Sequence, residues 1–412
     1  MEIKREYYLN KIIKTKNNGL IKIVTGIRRC GKSYLLNKLF YNYLIDNGVN
    51  ETHIIKIALD SIENKYLRDP LKLYKHIQSQ IIDGDMYYVI LDEIQLVADF
   101  VDVLNSLLRM ENVDVYVTGS NSKFLSSDIV TEFRGRGYEI RMYPLSFAEF
   151  MSVYTGTITN AWKQYYTYGG LPLVTQIEDI EGKTNYLAEQ KENVYINDVI
   201  ERNNIKNDEE LRILIEIISS SIGSFTNPTK LSDTFESTRN INIDHKTINN
   251  YLKYLEEAFI IEKAKKYDIK GKKYIDTPSK YYFTDVGLRN SLVNYRQQEE
   301  GHLMENIIYV ELRKRGYNVD VGMVETRADK SYKQLEVDFI ANKGDNKYYI
   351  QSTLNMNDEN VAEREQRPLL KINDSFKKII IVKDDIMRNR NEDGIVTMGI
   401  FDFLTDSNSL DY

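Results

Sequence analysis

The stretch Ile21-Lys22-Ile23-Val24-Thr25-Gly26-Ile27-Arg28-Arg29-Cys30-Gly31-Lys32-Ser33 decides how the chain is read. Residues 21–25 are an apolar, β-branched run that reads as a buried strand. The eight that follow fit Gly-x-x-x-x-Gly-Lys-Ser, the phosphate-binding loop, which belongs between a strand and a helix. A helical pattern does follow, with Leu35, Leu36, Leu39, Phe40, Tyr43 and Leu44 on one stripe and Gly48 as a stop signal. The chemistry explains the residue types. Glycines let backbone N–H groups close around phosphate oxygens, and the helix N-terminus adds its positive end. Lys32 supplies a point charge for β/γ-phosphates, and the Ser33 hydroxyl is a ligand for Mg²⁺. The nucleotide-binding set is therefore Gly26, Ile27, Arg28, Arg29, Cys30, Gly31, Lys32, Ser33 and Tyr34. The competing reading, a Gly-rich turn that binds nothing, does not account for this context.

Outward from the loop, strands and helices alternate. Ile54 to Leu59, Tyr87 to Asp92 and Val113 to Thr118 read as strands, with helices at Pro70 to Ile81 and Phe100 to Met110. Such alternation predicts a parallel sheet with helices on both faces. It also predicts that the loop, Asp92/Glu93 and Ser120/Asn121 gather at the carboxyl edge. Residues 147–205 read as helical. Three helices between residues 211 and 257, then a Lys-rich hairpin (Lys263, Lys265, Lys266, Lys270, Lys272, Lys273), read as a winged helix. From Gly301 the pattern is helix, three strands, helix, strand, with a hairpin signal at Gly344-Asp345-Asn346.

Bulk composition limits the function classes. The chain has 412 residues, 42% hydrophobic and 28% charged, as in a globular protein. Its net charge is −6, and no third of it is basic enough to imply nucleic acid on charge alone. The single cysteine, Cys30, excludes a disulfide framework and points to a reducing cytoplasm. No apolar run approaches a membrane span. The four histidines are scattered and suggest no zinc site.

Asp92 and Glu93 end an apolar strand. Adjacent carboxylates there can divide the work, one holding Mg²⁺ and the next polarising water. Asn121 is a candidate for orienting that water, or an ordinary turn residue. Arg134 and Arg136 flank Gly135, and Arg136 is a candidate for stabilising transition-state charge in cis or in a neighbouring subunit; the alternative is a solvated arginine. The catalytic candidates are thus Lys32, Glu93, Asn121 and Arg136, and the metal candidates Ser33 and Asp92.

With these pieces in order, the chain resembles a family of prokaryotic AAA+-type ATPases related to the archaeal ATPases. The matching stretches are Gly26 to Ser33, Leu91-Asp92-Glu93-Ile94-Gln95, Thr118-Gly119-Ser120-Asn121, Gly135-Arg136, Tyr143 to Phe150 and Tyr168-Gly169-Gly170-Leu171-Pro172. The resemblance implies ATP as nucleotide and Mg²⁺ as metal. It implies an α/β protein of three parts: a P-loop AAA-type domain (1–150), a helical and winged-helix segment (151–300), and a C-terminal domain (301–412). The last resembles the restriction-endonuclease-like fold. There Glu305, Asp338 and Gln351 stand in metal-binding positions, but Thr353 occupies the place of the lysine, so a fold without nuclease chemistry is expected. The functional expectation is an ATP-hydrolysing switch acting on a macromolecular partner, protein or DNA, with a homo-oligomer as one possible form. The alternatives are an ATP-gated DNA-binding or DNA-cleaving protein and a scaffold that binds nucleotide and hydrolyses little.

Overall fold

The computed structural model describes residues 3–120, 135–328 and 331–411. The chain divides into two compact units. The first is Met1–Pro144 with Glu257–Phe259, the second Leu145–Glu256 with Ile260–Tyr412.

The first unit holds five strands: β1 (Ile21–Thr25), β2 (Ile54–Ala58), β3 (Tyr87–Asp92), β4 (Val113–Gly119) and β5 (Gly137–Arg141). They form one sheet in the order β2-β3-β4-β1-β5, with every pairing parallel. Parallel order follows from the sequence, because the crossovers from β1 to β2, β2 to β3 and β3 to β4 each carry a helix that must cover a sheet face. Alternate residues divide between the faces. Ile21, Ile23, Tyr87, Val89, Leu91, Val115 and Val117 join one core with Leu73, Ile77 and Leu104 of the helices Pro70–Gln80 and Phe100–Leu107. On the opposite face Phe40 packs on Tyr116, with ring centroids 4.5 Å apart.

The helical run after the loop covers residues 32–46 and contains a π-helical segment, Leu35–Phe40. Leu35, Leu36, Leu39, Phe40 and Leu44 are buried, as their spacing predicts. Gly48 ends the run with φ 82°, where a side chain would be strained. One residue of the apolar strand departs from the pattern. Lys22 is fully buried and ion-paired to Asp114, which also accepts from the Tyr116 hydroxyl at 2.6 Å and the Asn17 N–H at 2.9 Å. Burial lowers the Lys22 pKa, and Asp114 opposes that shift.

The second unit contains the helices Phe147–Met151, Ile158–Tyr168, Ile180–Glu189, Asn197–Asn203, Asp208–Ser220, Pro228–Arg239 and His245–Glu257. Its strands are β6 (Ile261–Asp268), β7 (Lys273–Phe283), β8 (Asn318–Ala328), β9 (Ser331–Lys343), β10 (Asn346–Thr353), β11 (Lys377–Val382), β12 (Asn389–Arg390) and β13 (Val396–Gly399). They make one sheet in the order β12-β13-β11-β10-β9-β8-β6-β7. The hairpin expected as a wing is β6–β7. It is longer than the sequence suggested and is not free, because β6 pairs in parallel with β8 (Lys266 with Val321). A single sheet therefore runs across residue 300. Its faces are covered by the helices Glu300–Lys314, through Leu303, Ile307 and Ile308, and Glu359–Leu370, through Leu369.

The Tyr168-Gly169-Gly170-Leu171-Pro172 stretch is a packing joint within this unit. A Cβ on Gly170 would lie 2.2 Å from the Leu145 carbonyl oxygen. The Gly170 N–H donates to the Asp285 carboxylate at 2.8 Å, and the same carboxylate caps the helix Val286–Leu292 by accepting from Leu288 N–H at 2.8 Å.

Candidate nucleotide site and a second polar cavity

The parallel sheet brings the carboxyl ends of β1, β3 and β4 side by side, as the strand register requires. Gly26 leaves β1 with φ 146°, and a Cβ there would lie 2.1 Å from the Met142 carbonyl oxygen. Arg29 and Gly31 both have positive φ, 64° and 101°. This winding turns successive backbone N–H groups into a concave nest. Cys30 is fully buried, with its thiol toward the Met142 carbonyl, so it contributes backbone only. Ser33 is exposed at the first turn of the helix and Tyr34 is half-buried.

Lys32 is buried within the loop, at 4% exposure. Its ammonium donates to the carbonyl oxygens of Gly26 at 3.0 Å and Ile27 at 3.1 Å. Both partners are neutral, and among the described residues no carboxylate is paired with it. A buried cation held only by neutral acceptors suits an anionic ligand.

Asp92 is buried at the end of β3 and accepts from the Thr118 hydroxyl and from Asn37 Nδ2 at 3.4 Å. Burial raises its pKa; the Thr118 and Ser33 hydroxyls oppose the shift, while Glu93 and Asp60 add to it. The site thus holds Ser33 beside Asp92, an oxygen-donor pair that fits Mg²⁺. Glu93 takes the left-handed conformation, φ 54°, so its side chain leaves the direction of Asp92. Its N–H donates to Thr118 Oγ1 at 2.9 Å, and its Oε2 accepts from Gln95 Nε2 and from Ser120 Oγ at 3.3 Å. Ser120 in turn accepts from Arg28 Nε of the loop at 3.4 Å. Thr118, Gln95 and Asn37 had no role in the sequence reading; the one signal for Thr118 was a hydroxyl ending an apolar strand.

One sequence candidate among the described residues, Arg136, does not join this group. Asn121 and Arg134 lie outside the described residues. Arg136 is exposed, and its carbonyl accepts from Ile21 N–H at 2.8 Å, at the amino end of β1. The loop begins at the other end of that strand, about 13 Å away along the sheet.

The second unit has its own polar cavity of about 800 Å³, lined in part by Glu305, Glu336, Asp338, Gln351, Ser352 and Thr353. Asp338 Oδ2 accepts from Ser352 N–H and Oγ, both at 2.8 Å. Gln351 Oε1 accepts from Asp338 N–H at 3.2 Å. Thr353 donates to the Asn355 carbonyl, at 3.2 Å. Lys280 of β7 is buried, with Nζ 2.9 Å from Glu305 and 2.5 Å from Glu336. Burial lowers the Lys280 pKa, but Glu305, Glu336 and Asp338 outweigh it and leave it raised. Burial, then Glu305, push Asp338 up to about 8 against the pull of Lys280. The sequence reading did not connect Lys280 with Glu305, Glu336 or Asp338.

Fold and site together define a P-loop domain of AAA type, and residues 18–151 match the family model described as AAA domain. Residues 159–299 match a domain of unknown function. The chain is 34% identical over 408 residues to an uncharacterized protein of Haemophilus influenzae, covering 98% of each, and it belongs to the family of that protein. An uncharacterized protein of Methanocaldococcus jannaschii is 29% identical over 387 residues, 89% of this chain and 82% of that one. Among solved structures, a Walker-type ATPase of Pyrococcus abyssi is similar in fold, with TM-score 0.51 and 15% identity over 71% of this chain and 96% of that chain. Among the described residues no helix is long and apolar enough to cross a membrane.

Proposed function

We propose that the protein is an ATP-hydrolysing switch that acts on a macromolecular partner. The observation that carries this reading is Lys32, a buried ammonium with neutral partners inside a nest of backbone N–H groups. The nest binds phosphate oxygens and Lys32 neutralises them. Ser33 and Asp92 would hold Mg²⁺, which when bound withdraws charge from the phosphates. Glu93 orients the attacking water and takes its proton at the carboxylate. Asn121 follows Ser120 in the chain and is assigned to the same water. Arg136 works in trans, since its own loop lies at the far end of β1; this makes the active form a homo-oligomer. Residues 1–150 serve as the ATPase part, and 151–300 and 301–412, joined by one sheet, serve as the adaptor and effector parts of a single unit. A buried free thiol suits a reducing cytoplasm. Binding of a fluorescent ATP analogue tests the core of this reading. Lys32→Ala should weaken affinity at least about a hundredfold, the loss of a charge-assisted contact and more; wild-type affinity in that variant would remove the assignment.

One observation favours the alternative of DNA handling by the C-terminal part. Lys280 is ion-paired to Glu305 and Glu336, which line a cavity with Asp338, so an amine lies next to the carboxylates that Thr353 leaves without one. The layout of helix, β8-β9-β10, helix and β11 also suits a restriction-endonuclease-like core. Supercoiled plasmid with Mn²⁺ and ATP separates the readings. The switch predicts intact plasmid; nicking by the wild type that Asp338→Asn abolishes and Lys32→Ala retains would put nuclease chemistry first.

A further inference from the structure

The Leu91-Asp92-Glu93-Ile94-Gln95 stretch contains one polar residue to which the ATPase chemistry assigns no task, Gln95. Its amide is not arranged for its own benefit. Nε2 donates to Glu93 Oε2, while Oε1 is buried and has no hydrogen-bond partner among the described residues. A buried acceptor left unpaired is costly, and here it is the counterpart of a donor committed elsewhere. Here the commitment is to Glu93. The second donor to that carboxylate, Ser120 Oγ at 3.3 Å, ends on the same oxygen, Oε2. No hydrogen bond among the described residues ends on Oε1 of Glu93. Two donors on one oxygen fix the rotation of the carboxylate and leave the other oxygen available to a water. Ser120 is tied by the Arg28 Nε contact to the phosphate loop itself, so the clamp and the nucleotide site share a residue.

We propose that Gln95 and Ser120 are positioning residues that clamp Oε2 of Glu93 and so present its Oε1 as the general base. The inference rests on the ATPase reading above and deepens it. It assigns Gln95 a task in catalysis and none in nucleotide binding. It also gives Arg28 a second role, as the link through which phosphate in the loop reaches the donor that holds Glu93.

The test is a double-mutant cycle on ATP turnover with the full chain and Mg²⁺, with nucleotide affinity measured in parallel. Gln95→Ala should lower kcat at least about tenfold, a part of the 10²–10⁴ that a positioned general base contributes, with the ATP dissociation constant unchanged. Ser120→Ala should lower kcat and Ser120→Thr, which keeps the hydroxyl, should restore it. In a Glu93→Gln background, Gln95→Ala should cost nothing further, because there is no base left to position. A residue that only stabilises the loop would lower both backgrounds alike, and that result overturns the proposal. Wild-type kcat in Gln95→Ala overturns it too, with the ATPase reading left standing. If the wild-type chain binds and hydrolyses no ATP under any condition tried, the ATPase reading fails first and the clamp falls with it.

Discussion

At the scale of single residues, the site divides labour by backbone conformation. Asp92 and Glu93 are adjacent, yet the positive φ of Glu93 turns the chain between them, so one carboxylate meets Thr118 and the other Gln95 and Ser120. The sequence reading left Arg136 to act in cis, in a neighbouring subunit or not at all; strand register puts it at the amino end of the sheet, beside Ile21. An arginine so placed acts on a neighbour's nucleotide or on none. Turnover per chain should therefore rise with protein concentration, and Arg136→Ala should lower kcat by at least about tenfold with ATP affinity kept, as for other arginines that act on transition-state charge. A concentration-independent rate that Arg136→Ala leaves unchanged would make it a solvated surface arginine.

At the scale of elements, buried charge is placed where a helix or strand end can receive it. Lys22 of β1 reaches diagonally to Asp114 of β4, two residues before its register partner Tyr116. Removing either partner would leave an uncompensated buried charge, which is far more damaging than exchanging the pair for apolar residues. Asp285 is the corresponding case in the second unit. Burial pushes it up to about 6, against backbone N–H donors from Leu288, Gly170 and Gly287. The ordinary aspartate value is about 3.9, so the folded state holds this proton more tightly than the unfolded state. The group's contribution is full below pH about 4 and is lost as pH rises through about 6, on the order of 3 kcal/mol in all. Asp285→Asn keeps one of the two acceptor oxygens that Gly170 and Leu288 use and removes the titration. The stability of the wild type relative to this variant should fall between pH 4 and pH 7. Urea unfolding followed by the fluorescence of Trp162, the single tryptophan and part of the same unit's core, reads it directly. A pH-independent difference would show that Asp285 does not change its proton on unfolding.

At the scale of the whole molecule, what could be read from sequence is what local chemistry determines. The phosphate loop is contiguous, its glycines answer to local φ values and one close carbonyl, and its strand and helix announce themselves by period. Asp92 and Glu93 were equally legible, since a parallel sheet sends every strand's carboxyl end to one edge. The parts that escaped depend on contacts between distant segments. Lys280 reaches Glu305 only because β6–β7 joins the sheet beside β8, and nothing in a Lys-rich hairpin distinguishes a free wing from a sheet edge. The family stretch Gly169-Gly170 showed no reason for its glycines in sequence; they answer to the Leu145 carbonyl and Asp285. Lys22 sat inside an apolar run without its partner, Asp114, being identifiable. The central claim is that the first unit hydrolyses ATP with Glu93 as its base. Its most direct test compares binding and turnover in Glu93→Gln. The account predicts ATP affinity like that of the wild type with turnover reduced at least about a hundredfold, the scale of a lost general base; wild-type turnover in Glu93→Gln would contradict it.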